Sequence, residues 1–338
     1  MTKKYGVGIL GAGWVAGEYV KAFRDHPLTE IRGIYSHTPG KAGRLLKQHG
    51  VEAREYSSED ELFNDDSVKI VASCTPPDVR PQQLERAAKT GRHIVIEKPI
   101  ALDLESTDAV IEHVQKSGTF VQIGFQRRFD AGYRAARDAV GTGALGDVHV
   151  VRLATHDPAP PPEAYVAASG GIWLDLAIHD FDIAQWVLGR PVVEVFADGV
   201  ANSPMFERHG DVDAACATLK FEGGILGAVT AVRNDPRGYD VRMELFGLRD
   251  SVAVGWDART PLRSLEPGMD APRKPGYENF IDRFTPAYRA EIHGFLDALN
   301  AGGVSPCSVL EARRAFAVGL AAGRSLNEHR QVRLQEIG

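Results

Sequence analysis

The chain begins its first strand and turn with Tyr5-Gly6-Val7-Gly8-Ile9-Leu10-Gly11-Ala12-Gly13-Trp14-Val15-Ala16. The turn fits G-x-G-x-x-A: Gly11 permits a tight bend, Gly13 lets the backbone approach a pyrophosphate, and Ala16 lets helix and strand pack closely. A pyrophosphate at such a turn meets the amide groups of the helix N-terminus. The motif therefore predicts dinucleotide binding in this strand–turn–helix context, and the alternative is a turn kept only for packing. The predicted contacts are Gly11, Ala12, Gly13, Trp14 and Val15.

Short apolar runs and helical patterns alternate from this strand to Ile123, which predicts an α/β domain with a doubly wound parallel sheet. Beyond residue 124, strands follow one another directly, as in the hairpin signal at Phe221–Ile225. We therefore expect a Rossmann domain at 1–123 and an α+β domain at 124–338 with a large, mainly antiparallel open sheet. Residues 256–285 read as a loop, and helices are predicted at Tyr288–Asn300 and Val309–Glu328.

Composition excludes several classes of protein. The 338 residues carry 39 basic and 45 acidic side chains, a net charge of −6 without a basic run, so nucleic acid is not an expected partner. The sequence has neither an uninterrupted apolar run that could span a membrane nor a signal-peptide pattern. Cys74, Cys216 and Cys307 show neither metal spacing nor an even disulfide set. The chain is thus predicted to be cytoplasmic, without a metal.

The segment Gly171–Gly189 is apolar on nearly every side and is predicted to be one buried helix. Asp175, His179 and Asp182 interrupt its apolar surface at i, i+4 and i+7, which places them on one face. A carboxylate one turn below an imidazole suits proton transfer, because it fixes the ring tautomer and raises its basicity. The alternative is a helix-capping Asp175 and a core histidine. Asp182 is interpreted as structural.

A second candidate is Lys98, in the strand that ends Ile94-Val95-Ile96-Glu97-Lys98-Pro99. Ligands of doubly wound folds gather at the carboxyl ends of strands, so Lys98 is expected at the cofactor cleft. Its ammonium can donate to a substrate hydroxyl and stabilise a developing alkoxide. The alternative is an exposed lysine at a strand end.

The second strand is followed by residues that bear on the choice of cofactor. NAD-selective sites usually carry Asp or Glu there for the ribose 2′-hydroxyl, and this chain carries neither. The polar and basic residues present can hold a 2′-phosphate instead, so NADP is favoured over NAD. They are Ser36, His37, Thr38 and Lys41. The alternative is that Lys41, like Arg44, is a solvated helix charge.

Four motifs together resemble the Gfo/Idh/MocA oxidoreductase family: Gly11-Ala12-Gly13, Thr75-Pro76-Pro77, Glu97-Lys98-Pro99 and Asp175-x-x-x-His179. The likeness covers almost the whole chain and is closest to the inositol 2-dehydrogenase branch. The stretches that indicate this branch are Gly124–Asp130, His156–Pro158, Ile178–Asp182, Gly210–Asp213 and Gly238–Asp240.

The resemblance implies an NAD(P)-dependent enzyme that moves a hydride between a cyclitol or sugar carbon and nicotinamide. It implies that Lys98, Asp175 and His179 are catalytic, with His179 as general base. Thr75, Pro76, Glu97 and Lys98 would complete the cofactor site. Substrate hydroxyls would be contacted by Lys98, Asp175 and His179 together with Arg127, Asp157 and Tyr239. Family members associate through the open sheet, so a homodimer or homotetramer is expected.

Three other functions are compatible with parts of the sequence. The chain could be another sugar dehydrogenase or a reductase of keto- or anhydro-sugars, since Thr155 and Asp157 stand where inositol dehydrogenases can carry His and Asn. It could sense NAD(P) without catalysis, although that role needs neither Lys98 nor His179. A metal-dependent hydrolase would need more ligands at metal spacing. Of the neighbours Arg127 and Arg128, one is expected to face substrate and the other a carboxylate or solvent.

Overall fold

The computed structural model describes residues 4–269 and 274–338, which divide into two compact units. The first contains the chain up to Phe129 together with Thr285–Arg313, and the second contains Asp130–Phe284 and Arg314–Gly338. The domain division at 123 and 124 stays a prediction. The compact units differ from it mainly in residues 285–313, which return to the first unit, where the rings of Phe120 and Phe295 lie 5.5 Å apart.

A six-stranded parallel sheet forms the core of the first unit. Its strands are β1 (Tyr5–Leu10), β2 (Thr29–Tyr35), β3 (Arg54–Tyr56), β4 (Val68–Ser73), β5 (His93–Glu97) and β6 (Val121–Gly124). They lie in the order β3-β2-β1-β4-β5-β6, all in parallel pairs. This order has its topological switch point between β1 and β4, where doubly wound sheets bind dinucleotides. The predicted fold class is confirmed.

Five helices connect these strands. They are α1 (Trp14–Asp25), α2 (Lys41–Gln48), α3 (Glu59–Asn64), α4 (Arg80–Thr90) and α5 (Leu104–Ser117). Helix α3 is capped at its N-terminus, because the Ser58 hydroxyl accepts from the Glu61 amide at 3.0 Å. A 3₁₀ helix, Gln126–Phe129, follows β6.

The second unit is built on a seven-stranded mixed sheet. Its strands are β7 (Val148–His156), β8 (Val192–Val200), β9 (Ala214–Phe221), β10 (Leu226–Val232), β11 (Asp240–Gly247), β12 (Ser251–Val254) and β13 (Val332–Arg333). They lie in the order β12-β11-β7-β10-β9-β8-β13. Strands β7 and β10 are parallel, and the other described pairs are antiparallel. Buried and exposed residues alternate along β9, so one face of the sheet is covered and the other is open.

The remaining helices are α6 (Ala131–Gly141), α7 (Glu163–Val166), α8 (Gly171–Asp175), α9 (Ile178–Leu188), α10 (Pro204–Arg208), α11 (Phe280–Asn300) and α12 (Val309–Glu328); a 3₁₀ helix, Leu334–Glu336, follows β13. Helix α11 begins earlier than predicted, inside the segment read as a loop. Among the residues that the structure describes, no helix combines the length and the apolar character that crossing a membrane requires.

The single helix predicted at Gly171–Gly189 is wrong in one respect, because the structure forms α8 and α9 with a turn between them. The amide of Ala177 donates to the carbonyl of Ile172, five residues back, at 2.9 Å. This π-type turn is one residue wider than an α-helical turn, and such turns occur frequently at functional sites. The predicted stripe of Asp175, His179 and Asp182 therefore crosses a change of helical register.

Candidate active site

The predicted cofactor residues lie at one edge of the six-stranded sheet. Strand register aligns Leu10 with Tyr35 on one side and with Ser73 on the other, and Ser73 with Ile96. The loops that leave β1, β2, β4 and β5 therefore begin at the same level. The residues that the sequence assigns to cofactor binding lie in these loops or directly at their ends, at 11–15, 36–41, 75–76 and 97–98. This is the edge at which open α/β sheets bind their ligands.

The glycine-rich turn after β1 has room for a phosphate. Gly11 has φ +90°, and a Cβ there would lie 2.7 Å from the carbonyl oxygen of Cys74, so only glycine fits. A Cβ on Gly13 would meet no atom within 4 Å, so the helix N-terminus faces open space. The first turn of α1 contains no acidic residue that would repel an anion. The turn therefore fits a pyrophosphate group.

Beyond β2, the structure leaves the predicted 2′-phosphate residues accessible. His37, Thr38 and Lys41 are exposed, and Ser36 is half-buried with its hydroxyl accepting from the Thr38 amide at 3.3 Å. Gly40 precedes α2 with φ +67°, a conformation that favours glycine. Donors thus surround this turn without a carboxylate between residues 36 and 41.

Arg80, which sequence reasoning missed, joins two of the loops at this edge. It is 7% exposed and donates to the Thr75 carbonyl from Nε at 2.9 Å and from Nη2 at 2.6 Å. Its Nη1 donates to the carbonyl of Pro99 at 2.7 Å, directly after the cis Lys98–Pro99 peptide bond. One guanidinium therefore ties the loop after β4 to the loop that carries Lys98. Three strong charge-assisted bonds make this a rigid link.

A buried cluster of two carboxyl groups and a phenol lies behind Lys98. The Tyr19 hydroxyl is 3.0 Å from Oε1 of Glu97 and 3.4 Å from Oε2 of Glu291. Burial raises the pKa of Glu291 well above its ordinary value, and the nearby charge of Glu97 raises it further. Burial also raises the pKa of Glu97, while the charges of Arg80 and Lys98 oppose that rise. The pKa of Glu291 is accordingly raised further than that of Glu97, which has two cations beside it.

Glu291→Gln is expected to change how the free energy of unfolding depends on pH. A carboxyl group whose folded pKa is raised contributes stability that is complete below its unfolded pKa of about 4.5 and is lost as pH rises through the folded value. The loss amounts to about 1.4 kcal/mol for each pH unit between the two pKa values. The variant lacks this titration, so its stability relative to wild type should increase above about pH 4.5.

Melting temperatures measured from acidic to mildly alkaline pH test this expectation. Glu105→Gln, at an exposed glutamate of α5, is the control and should follow the wild-type curve. Parallel curves for wild type and Glu291→Gln would show that Glu291 is ionised in the folded protein.

In the second unit, three strands bring two of the predicted substrate residues, Asp157 and Tyr239, to one edge of the mixed sheet. His156, the last residue of β7, pairs with Val232 of β10 and with Asp240 of β11. Asp157 directly follows β7 and Tyr239 directly precedes β11, so the two residues lie on neighbouring strands at this edge. Tyr239 is 5% exposed, its amide donates to the Tyr277 carbonyl at 2.7 Å, and its ring packs on Phe284.

Asp175, the last residue of α8, is held by both carboxylate oxygens. Oδ1 accepts from the Tyr165 hydroxyl at 2.8 Å, and Oδ2 accepts from Nη2 of Arg233 at 2.8 Å. Asp211 accepts from the Ile172 amide at 3.0 Å and so caps the start of the same helix. Tyr165 and Arg233 are further residues that sequence reasoning missed. Arg233 follows an apolar strand directly, as Asp157 does, and this shared position was the available signal.

A hydrogen bond from β7 holds the start of α9, the helix that carries His179, in place. Asp180 is fully buried and accepts from the Thr155 hydroxyl of β7 at 2.9 Å. His179 is half-buried, in contrast to its fully buried neighbours Ile178 and Asp180. The imidazole therefore sits on an anchored helix start within one turn of Asp175. Asp182 is 2% exposed on the same helix.

The two arginines after β6 have different surroundings. Arg128 donates to Oε1 of Glu311 at 2.7 Å and to the Pro306 carbonyl at 3.3 Å, so it has the carboxylate partner expected of one of the pair. Burial would raise the pKa of Glu311, but the Arg128 charge and the Ser308 amide hold it below its usual value. Arg127 is 1% exposed, and its contact with substrate stays a prediction.

Comparisons with known proteins agree with this geometry. Residues 5–125 match the model of an oxidoreductase family with an NAD-binding Rossmann fold, and residues 133–253 match the GFO/IDH/MocA C-terminal domain. The myo-inositol 2-dehydrogenase of Thermotoga maritima is 33% identical over 335 residues, which cover 98% of this chain and 99% of that protein. The scyllo-inositol 2-dehydrogenase (NAD(+)) of Bacillus subtilis is 32% identical over 301 residues, 87% of this chain and 86% of that protein.

Solved structures give the same result. A myo-inositol dehydrogenase from Corynebacterium glutamicum superposes with a TM-score of 0.89 at 29% identity, covering 98% of this chain and 99% of that chain. The family models match both the strand–turn–helix opening of the first unit and the sheet of the second. The expectation drawn from the four motifs is confirmed: the chain belongs to the Gfo/Idh/MocA oxidoreductase family.

Proposed function

We propose that this protein is an NAD(P)-dependent dehydrogenase that oxidises a secondary hydroxyl of a cyclitol, as its inositol 2-dehydrogenase relatives do. The observation that carries the proposal is the fixed carboxylate of Asp175 beside the helix start that presents His179. Asp157 and Tyr239 at the adjacent sheet edge supply polar groups for a polyol. Cyclitols and sugars are recognised through such convergent hydroxyl contacts.

In the proposed mechanism, His179 removes the proton of the substrate hydroxyl as general base. Asp175 orients the imidazole and stabilises the imidazolium that forms. Lys98 donates to the same oxygen and stabilises the alkoxide, while Arg127, Asp157 and Tyr239 hold other hydroxyls. A nicotinamide cofactor, when bound, would supply the acceptor for the hydride that leaves the carbon. In the first unit, Thr75 and Pro76 after β4 and Glu97 at the end of β5 would help to hold it.

A substrate panel tests the proposal directly. The purified protein is assayed with myo-inositol, scyllo-inositol and a set of aldoses and keto- or anhydro-sugars, and formation of reduced nicotinamide is read by absorbance. We expect the highest kcat/KM with an inositol. A higher value with a sugar, or activity only as a reductase, would favour another enzyme of the family. Cofactor binding without turnover of any compound would favour a sensor of NAD(P).

The preference for NADP over NAD is a further part of the proposal. It is supported by the exposed donors His37, Thr38 and Lys41 and by the lack of a carboxylate in this turn. A charge-assisted hydrogen bond contributes about 1.5–3 kcal/mol, so NADP should bind at least about tenfold more tightly. Lys41→Glu should reverse this difference, because a carboxylate accepts from a ribose hydroxyl and repels a phosphate.

Fluorescence titration of wild type and Lys41→Glu with both cofactors measures the difference. Lys47→Glu, later on the same helix, is the control and should keep the wild-type ratio of dissociation constants. Tighter binding of NAD than of NADP by the wild-type protein would contradict the preference.

We also propose a homodimer or homotetramer formed through the open face of the seven-stranded sheet. Phe196, Val200 and Leu226 are 46%, 52% and 49% exposed on strands of this sheet. Large exposed apolar groups that cluster on one face are typical of interaction surfaces. Measuring the mass of the purified protein in solution tests this proposal and distinguishes a dimer from a tetramer. The sequence spacing of Cys74, Cys216 and Cys307, which fits neither a metal site nor an even disulfide set, supports a reducing, cytoplasmic location.

A further inference from the structure

Arg233 links two carboxylates that come from different parts of the second unit. Its side chain is 3% exposed. Nη1 donates to Oδ2 of Asp157 at 3.1 Å, and Nη2 donates to Oδ2 of Asp175 at 2.8 Å. One guanidinium therefore connects the residue after β7 with the last residue of α8.

Backbone structure fixes the position of this link. Strands β7 and β10 run parallel with His156 opposite Val232, so Asp157 and Arg233 leave the sheet side by side. The Asp157 amide donates to the Val232 carbonyl at 2.8 Å, and the Arg233 amide donates to the Asp213 carbonyl at 2.8 Å. The guanidinium is thus carried by a rigid strand end rather than by a flexible loop.

The carboxylates of Asp157 and Asp175 need the positive charge of Arg233 between them. Burial would lower the pKa of Arg233, but the charges of Asp175 and Asp157 raise it, so the side chain stays cationic. The groups that face Asp175 include Arg233, the Tyr165 hydroxyl from α7 and, through the shared guanidinium, Asp157. Without the cation, two partly buried carboxylates would share one region, and the pKa of one would rise.

We propose that Arg233 is a positioning residue that holds Asp157, the proposed substrate contact, at a fixed separation from Asp175, the proposed partner of the base. This inference rests on the proposed function. A polyol hydroxyl bound to Asp157 is thereby aligned with the proton-transfer group. Binding of substrate and orientation of the base then depend on one side chain.

Four variants test the link through kinetics: Arg233→Met, Arg233→Lys, Asp157→Asn and the double variant Asp157→Asn/Arg233→Met. Arg233→Met should lower kcat/KM about 10- to 100-fold, because small misplacements of catalytic groups have effects of that size. The acidic limb of its pH profile should move to higher pH, because a carboxylate without its cation protonates more readily. Arg233→Lys keeps the charge but not the fork geometry and should recover part of the activity.

The double variant separates positioning from general damage. If Arg233 acts through these carboxylates, adding Arg233→Met to Asp157→Asn should lower kcat/KM less than adding it to wild type. Arg237→Met, at an exposed arginine four residues further along the chain, is the matched control and should keep wild-type kinetics. Unchanged kcat, KM and pH profile in Arg233→Met would overturn the inference, as would an equal loss in both backgrounds.

Melting temperatures of the same variants test the link without a substrate, so a failure of the proposed function is recognised separately. A carboxyl group whose folded pKa is raised makes the folded protein less stable as pH rises, so Arg233→Met should be destabilised increasingly above the ordinary Asp pKa of about 3.9. Asp157→Asn/Arg233→Met should recover much of this loss. Equal melting of the single and double variants at every pH would overturn the inference, even if the enzyme acts on a different substrate.

Discussion

His179→Ala is expected to lower kcat by at least about a hundredfold, since general base catalysis typically contributes about 10²–10⁴ in rate. Alanine removes the imidazole without disturbing the anchor of this helix, because the hydrogen bond from Thr155 goes to Asp180. Cofactor binding should be retained, because the proposed cofactor residues belong to the six-stranded sheet of the first unit. Stopped-flow or steady-state turnover with the best substrate of the panel measures the effect.

Two controls make the result specific to proton transfer. His113→Ala, at an exposed histidine of α5, should keep wild-type turnover. The activity that remains in His179→Ala should rise with pH, because hydroxide and an ionised substrate replace the missing base. Turnover within a few-fold of wild type would remove His179 from the mechanism and return it to the role of a core histidine.

Sequence patterns predicted the elements that depend on local periodicity. The apolar runs of the first unit and the turn Gly11–Ala16 predicted the doubly wound sheet, and the structure confirms it. The direct succession of strands after residue 124 predicted the second sheet. Both predictions depend on neighbours within a few residues, where the spacing of apolar side chains reports the element directly.

The local patterns did not predict hydrogen bonds between residues that are distant in sequence. Arg80 and Pro99 are 19 positions apart, and Tyr19 and Glu291 are 272 positions apart. Arg233 and Asp157 are 76 positions apart. A single sequence carries no signal for such a pair until strand order and register are known. Positions next to strand ends are a partial guide to such contacts. Asp157 and Arg233 each directly follow an apolar strand, and the structure shows that the two strands are parallel neighbours.

The break between α8 and α9 was missed for a different reason. Gly171–Gly189 is apolar throughout, and helical periodicity does not register one additional residue in a turn. The consequence concerns Asp175, whose oxygens accept from Tyr165 and Arg233. The sequence identified the residue pair Asp175 and His179 but not the groups that hold the carboxylate in place.

Lys98→Met is expected to lower kcat by about 10²–10³, the range found when one donor to a developing oxyanion is removed. Methionine keeps the unbranched stem of lysine up to Cε but cannot donate a hydrogen bond or carry charge. The loop itself should persist, because Arg80 still donates to the carbonyl of Pro99 at 2.7 Å. Turnover with the best substrate and a fluorescence titration with cofactor give the two quantities that decide the role.

The contrast between those two quantities distinguishes a catalytic lysine from one that only binds cofactor. A catalytic Lys98 predicts a large loss of kcat with the cofactor dissociation constant changed by no more than a few-fold. Lys89→Met, at an exposed lysine of α4, is the matched control and should leave both quantities unchanged. If Lys98→Met instead weakens cofactor binding and keeps kcat at saturating cofactor, Lys98 belongs to the cofactor site alone. The imidazolium of His179 would then have to stabilise the alkoxide without a second cationic donor, and a pH profile with a single ionisation would be its signature.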